Sequence, residues 1–156
     1  MVNMHKRRPD ERRAHATPVQ KTARVAAIVL GLLGILGFIP GITAEYGQLE
    51  VTGIGADALL FGLLPVTITH NVLMLLFAAG IYAAAQRSAG ATKATLIGLG
   101  LFNVACAAYG LINVRYGSTL WVPAGEVDNW FHLVLGAVLF ALGLIRGPKN
   151  LDPRRP

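Results

Sequence analysis

The sequence predicts an all-α fold, a polytopic membrane protein built as a four-helix transmembrane bundle. The 156 residues are 54% hydrophobic and only 14% charged, whereas a soluble domain ordinarily carries about 25% charged residues. The mean hydropathy is +0.54, and the apolar residues gather into four runs long enough to cross a bilayer. Because a core of this size cannot hide so much apolar surface from water, we expect lipid to surround the chain.

Segments rich in charge, glycine or proline separate the four runs. Residues 1–24 are basic and lack apolar periodicity, which predicts a disordered cytoplasmic tail. The transmembrane domain is predicted over 25–146, and a second basic cytoplasmic tail over 147–156. Residues 58–64 are apolar but too short to cross, so we expect an amphipathic turn in the membrane interface. The predicted spans are about 25–42, 67–85, 94–114 and 130–145.

The positive charges predict the orientation. Thirteen of the 14 lysines and arginines lie in the N-terminal tail, in the loop 86–93 or after Leu144, and only Arg115 lies in a loop on the other side. This bias predicts that the chain lies in a bacterial inner membrane with both termini in the cytoplasm. It also favours the lipid bilayer and its anionic headgroups over nucleic acid as the partner of the basic tails. A secretory signal cleaved after Ala44 is the competing interpretation, but the apolar stretch is at the upper limit for a signal.

Polar side chains inside the spans are the candidates for chemistry, because each costs several kcal/mol in hydrocarbon unless it finds a partner. Two spans that run in the same direction begin with histidine and asparagine, which places both imidazoles near the outer face. Asp128 is expected at the water boundary as a helix N-cap. The predicted polar cluster is His70, Asn71, Asp128, Asn129 and His132.

Two imidazoles at one depth can pair, bind a metal ion, hold a haem or relay protons. The preferred interpretation is structural, with each histidine supporting a helix end, so we expect no metal and no cofactor. A haem or a metal ion at His70 and His132 is the less favoured alternative.

Small and weakly polar residues in the spans predict helix contacts. Asn103 and Asn113 are expected to join helices by hydrogen bonds. Cys106 is the only cysteine, which excludes an intramolecular disulfide and a cysteine-based zinc cluster. The glycines expected at close helix packing are Gly31, Gly34, Gly37, Gly136 and Gly143.

The second and fourth spans show internal sequence similarity. Residues 70–78 align with 128–136, and each segment follows an outside loop and places asparagine at the start of a span. Such a repeat favours two tandem helical hairpins.

These two segments resemble the hallmark stretches of domain of unknown function 4383 (DUF4383), a family of bacterial integral membrane proteins, over roughly residues 24–146. From Asp128 to Gly136 the chain reads Asp-Asn-x-x-His-Leu-x-Leu-Gly. The family's first segment tends to read His-Asn-x-x-His, but here Met74 replaces the second histidine, which weakens any three-histidine site. The resemblance implies four spans and no assigned activity. A more distant similarity is to the four-helix DoxX-like proteins, some of which are tied to quinone-linked redox partners, and it is the basis of an alternative function.

Three functions are compatible with these observations. The first is a non-enzymatic structural or accessory bundle that binds another membrane protein or forms a homo-oligomer. The second is a redox or quinone-associated accessory protein that uses His70 and His132. The third is a small transporter, which would need to be oligomeric because four helices are few for a transport pathway.

Overall fold

The computed structural model describes residues 16–52, 57–116 and 126–145, with the backbone alone for 113–116. Each of the four helices is long and apolar enough to cross a membrane. The chain is therefore a multi-pass membrane protein, and the predicted four-helix fold is confirmed. The helices are α1 (Pro18–Leu36), α2 (Ile68–Arg87), α3 (Ala89–Tyr116) and α4 (Glu126–Gly143).

Helix α1 begins seven residues before the predicted start of the first span, so the assignment of 18–24 to a disordered tail is wrong. Thr17 and Gln20 form a capping box, in which the Thr17 backbone N–H donates to Gln20 Oε1 at 3.0 Å. Pro18 occupies the first helical turn, where its missing N–H costs nothing. The predicted tails at 1–15 and 147–156 lie outside the described residues.

The C-terminal end of α1 also lies earlier than predicted, at Leu36 rather than near residue 42. The chain turns immediately after the helix, and Gly41 adopts a φ of +87°, which is inaccessible to most side chains. Helix α1 is therefore shifted toward the N-terminus relative to the predicted span.

A small antiparallel sheet covers the end of the bundle where α1 ends and α2 begins. Its strands are β1 (Thr43–Ala44), β2 (Leu59–Leu60) and β3 (Leu64–Pro65), in the order β1-β2-β3. The apolar segment 58–64 is thus a hairpin and not the expected amphipathic turn. Its tip uses left-handed backbone at Phe61 and Gly62, with φ values of 55° and 69°, which allows the tight reversal.

The helices form two antiparallel pairs, α1 with α2 and α3 with α4. In the first pair, Gln20 near the start of α1 donates from Nε2 to the carbonyl of Ala85 near the end of α2, at 3.0 Å. A single residue, Ser88, connects α2 to α3. Large apolar side chains on the outer faces remain exposed, as expected of surfaces that lipid covers.

Glycines allow both pairs to approach closely. A Cβ atom at Gly136 of α4 would lie 2.8 Å from the carbonyl oxygen of Gly100 on α3, so neither position has room for a larger residue. In the first pair, a Cβ atom at Gly34 would lie 3.0 Å from the carbonyl oxygen of Asn71, and Gly31 faces Ala78. The other predicted packing glycines also face the partner helix, Gly37 against Asn71 and Gly143 against Ile97.

Candidate functional site

Three of the predicted polar residues meet where the two helix pairs face each other. Thr67 caps α2 by accepting a hydrogen bond at Oγ1 from the His70 backbone N–H at 3.0 Å, which fixes His70 in the first turn. Asp128 and His132 lie one turn apart on α4. The imidazoles of His70 and His132 stack with centroids 5.6 Å apart and planes inclined by 24°. The site therefore contains residues from both pairs.

The orientation of His132 is set by α3. Asn103 donates from Nδ2 to the carbonyl of Leu99 at 2.9 Å, which directs its Oδ1 toward His132 Nδ1, also at 2.9 Å. Because an amide oxygen only accepts, Nδ1 carries the proton of that hydrogen bond. His132 Nε2 then bears a lone pair in the neutral ring, and this atom lies 3.8 Å from Asp128 Oδ2.

Asp128 is buried, with 1% of its surface exposed, and neither carboxylate oxygen has a hydrogen-bond partner in the described part of the chain. The expected N-cap at the water boundary is therefore wrong: α4 begins two residues earlier, at Glu126, and Asp128 turns inward. Its carboxylate faces His132 instead.

His70 is buried beside His132, with 9% of its surface exposed. Its Nδ1 has no hydrogen-bond partner among the described residues. A neutral imidazole can place its lone pair on that nitrogen.

The site thus presents three potential metal ligands. One ligand atom from each of His70, Asp128 and His132 lies within 4.8 Å of the other two. His132 uses its other nitrogen in a hydrogen bond with Asn103, the arrangement in which metal-binding histidines are usually held.

The two predicted asparagines do not join this group. Asn71 is completely buried, and its side chain lies against the backbone of Gly37. Asn129 lies in the same manner against Gly110 of α3. Both asparagines therefore pack against the neighbouring helix of their own pair, and the side chain of Asn113 lies outside the described part of the chain.

A cavity of about 290 Å³ adjoins the histidines. Met74, Cys106 and Tyr109 line it although the sequence marks none of them as functional. Of these three residues, only Met74 could have been predicted to line the cavity, because it lies one turn after His70 on the same helix face.

A larger apolar groove of about 610 Å³ lies between α1 and α4. It begins beside Lys21 near the start of α1, and it shares the lining residues Leu30, Phe131 and Leu135 with the cavity. The polar site and the lipid-facing groove are therefore neighbours with a common wall.

Comparison with known proteins supports a family but no activity. Neither the curated proteins nor the solved structures contain a match. The family model described as "Domain of unknown function (DUF4383)" matches residues 20–145, which include all of the site residues named above. With most of its length matched in this way, the chain belongs to the DUF4383 family.

Proposed function

We propose that this chain is a non-enzymatic accessory protein of the membrane that binds an isoprenoid quinone. The observation that carries the proposal is the shared wall between the cavity and the groove, formed by Leu30, Phe131 and Leu135. A molecule with a compact polar head and a long apolar tail fits such a pair of spaces. This choice favours the quinone-associated interpretation of the sequence.

The cavity walls favour a planar, uncharged head. Phe77, Phe102 and Phe131 are among the lining residues, and aromatic rings pack well against a flat ring. No lysine or arginine is among the described residues lining the cavity, so a phosphate head would lack a cationic partner. Thr67, which accepts from the His70 backbone, still carries a hydroxyl proton that a quinone carbonyl can accept.

The groove fits the tail. Its lining runs along α1 from Lys21 to Leu33, a length of about 18 Å at 1.5 Å per residue. Apart from Lys21 and Thr22 at one end, the groove is lined by apolar side chains. An isoprenoid chain lying there loses no hydrogen bond and stays in contact with lipid along its length.

Measuring the quinone bound to the purified protein tests the proposal. The full chain is extracted from native membranes in mild detergent, and quinone is measured in an organic extract of the protein. We expect about one quinone per chain, and a strong loss in Leu135→Trp, which fills the junction between cavity and groove. Ala137→Trp, on an exposed face of the same helix outside both spaces, is the control and should retain the quinone. Phospholipid without quinone in the wild-type extract would contradict the proposal.

The charge distribution supports a cytoplasmic location for the termini in a bacterial inner membrane. Lys21, Arg24, Arg87 and Lys93 lie at the end of the bundle where α1 begins and α2 meets α3. The exposed acidic residues in the described part of the chain lie in the loops and at the helix start of the opposite end, and they are Glu45, Glu50, Asp57 and Glu126. We infer that the basic end contacts anionic headgroups on the cytoplasmic side.

A further inference from the structure

We propose that His70, Asp128 and His132 form a binding site for a divalent first-row transition-metal ion. The proposal does not depend on quinone binding, because it rests on the ligand atoms and their partners rather than on the groove. It reverses the expectation from the sequence that no metal is bound.

The carboxylate of Asp128 and the ring of His132 face each other. His132 Nε2 and Asp128 Oδ2 lie 3.8 Å apart, and the hydrogen bond from Nδ1 to Asn103 leaves a lone pair on Nε2. A lone pair and a carboxylate oxygen repel each other unless a positive charge lies between them. That charge is either a proton or a metal ion, and the position of His70 distinguishes the two.

His70 adds a third ligand atom. A proton bridging Asp128 and His132 would need nothing from His70, yet His70 offers a ligand atom within 4.8 Å of those of the other two residues, and its Nδ1 has no partner among the described residues. A metal ion uses all three atoms. It also accounts for both unpartnered oxygens of Asp128, since a buried carboxylate is strongly destabilising without a positive partner.

The geometry requires little movement. Ligands at 2.0–2.2 Å from a tetrahedral ion lie about 3.4 Å apart, so the widest separation of 4.8 Å closes by about 1.4 Å. A displacement of this size is within the reach of side-chain rotation. The cavity of about 290 Å³ beside the histidines leaves room for a fourth ligand such as water.

The donor set defines the class of ion. Two imidazoles and one carboxylate with an open position are the ligands of many Zn²⁺ and non-haem Fe²⁺ sites. Mg²⁺ and Ca²⁺ prefer oxygen ligands and are not expected to bind. Asn103 is a positioning residue, because it holds the tautomer of His132 without touching the ion.

Cobalt binding tests the site. The full chain, purified in detergent with a tag that contains no histidine, is freed of metal with a chelator and titrated with Co²⁺ by visible absorption. Zn²⁺ stoichiometry is measured by equilibrium dialysis. We expect one saturable ion per chain in the wild type. The affinity should fall at least tenfold in His70→Ala, His132→Ala and Asp128→Asn, and about tenfold in Asn103→Ala with the Co²⁺ spectrum still present.

A control and a folding measurement make the result decisive. The double variant His5→Ala/His15→Ala removes the only other histidines of the chain and should bind as the wild type does. Circular dichroism establishes that each variant is folded, and Asp128→Asn keeps the shape of the side chain if an alanine variant fails. Absence of saturable binding, equal binding in the folded cluster variants, or loss in the control would each overturn the proposal.

Discussion

The imidazole of His70 stacks on that of His132, with ring centroids 5.6 Å apart. One ring belongs to the α1–α2 pair and the other to the α3–α4 pair, so the site exists only when the two pairs are together. Within the second pair, Asn103 of α3 holds the ring of His132 on α4 by accepting a hydrogen bond from it. A ligand at the histidines therefore stabilises the association of the pairs as well as the site itself.

Asp128→Asn is expected to stabilise the metal-free protein. The wild-type carboxylate is buried with 1% exposure and has no hydrogen-bond partner in the described residues, and a buried unpaired charge costs more than a neutral amide. We expect an increase of about 1–3 kcal/mol in the free energy of unfolding, measured by thermal circular dichroism with chelator present. Adding Zn²⁺ should stabilise the wild type by a larger amount than the variant. A variant less stable than the wild type in chelator would refute the argument.

Met74→His is expected to strengthen metal binding. Met74 follows His70 by one helical turn, is buried, and lines the same cavity as His132. An imidazole there supplies a fourth ligand in the position that the family pattern gives to histidine. The Co²⁺ affinity should rise at least tenfold, with a changed visible spectrum.

Met74→Leu, which fills the same space without a ligand atom, serves as the control for this prediction. It should bind Co²⁺ as the wild type does. If the histidine variant folds and its affinity does not exceed that of the leucine variant, position 74 does not face the ion.

The four helices are predictable from the sequence because their signal is simple, a long apolar run without charge. Helix ends were harder to predict. The start of α1 at Pro18 depends on a capping box between Thr17 and Gln20, a local hydrogen-bonding pattern that hydropathy does not detect. The hairpin over 58–64 was missed because a short apolar run with glycine does not distinguish a strand from an interfacial turn.

The candidate site was predictable only in part. The parallel directions of α2 and α4 correctly indicate that His70 and His132 share a depth, since that follows from topology alone. The inward turn of Asp128 and the separation of Asn71 and Asn129 from the histidines depend on the rotation of each helix about its axis. That rotation is set by close contacts such as Gly136 with Gly100, which a single sequence does not specify.

Gly136→Ala is expected to destabilise the bundle. The added Cβ atom would lie 2.8 Å from the Gly100 carbonyl oxygen and 2.9 Å from the backbone nitrogen of Val104, so α3 and α4 must separate. Overpacking of this kind costs about 1–3 kcal/mol, measured by thermal unfolding in detergent. Because His132 lies one turn away on α4, metal affinity should fall as well.

Gly98→Ala is the matched control for Gly136→Ala. Gly98 is an exposed helical glycine of α3 with no atom within 4 Å of the added Cβ, so the change should be neutral or stabilising by up to about 1 kcal/mol. Equal destabilisation by both substitutions would show that the α3–α4 contact is not the cause.

Cysteine labelling is expected to place the small sheet outside and the α2–α3 turn inside the cell. In a Cys106→Ala background, Gly47→Cys lies in an exposed 3-10 turn, Tyr46–Gln48, at the acidic end, and Gly90→Cys is exposed at the basic end. Because lysine and arginine resist translocation, a membrane-impermeant maleimide should label position 47 in intact cells. It should label position 90 only after the membrane is permeabilised. The opposite labelling pattern would reverse the orientation and move the histidine site to the cytoplasmic side.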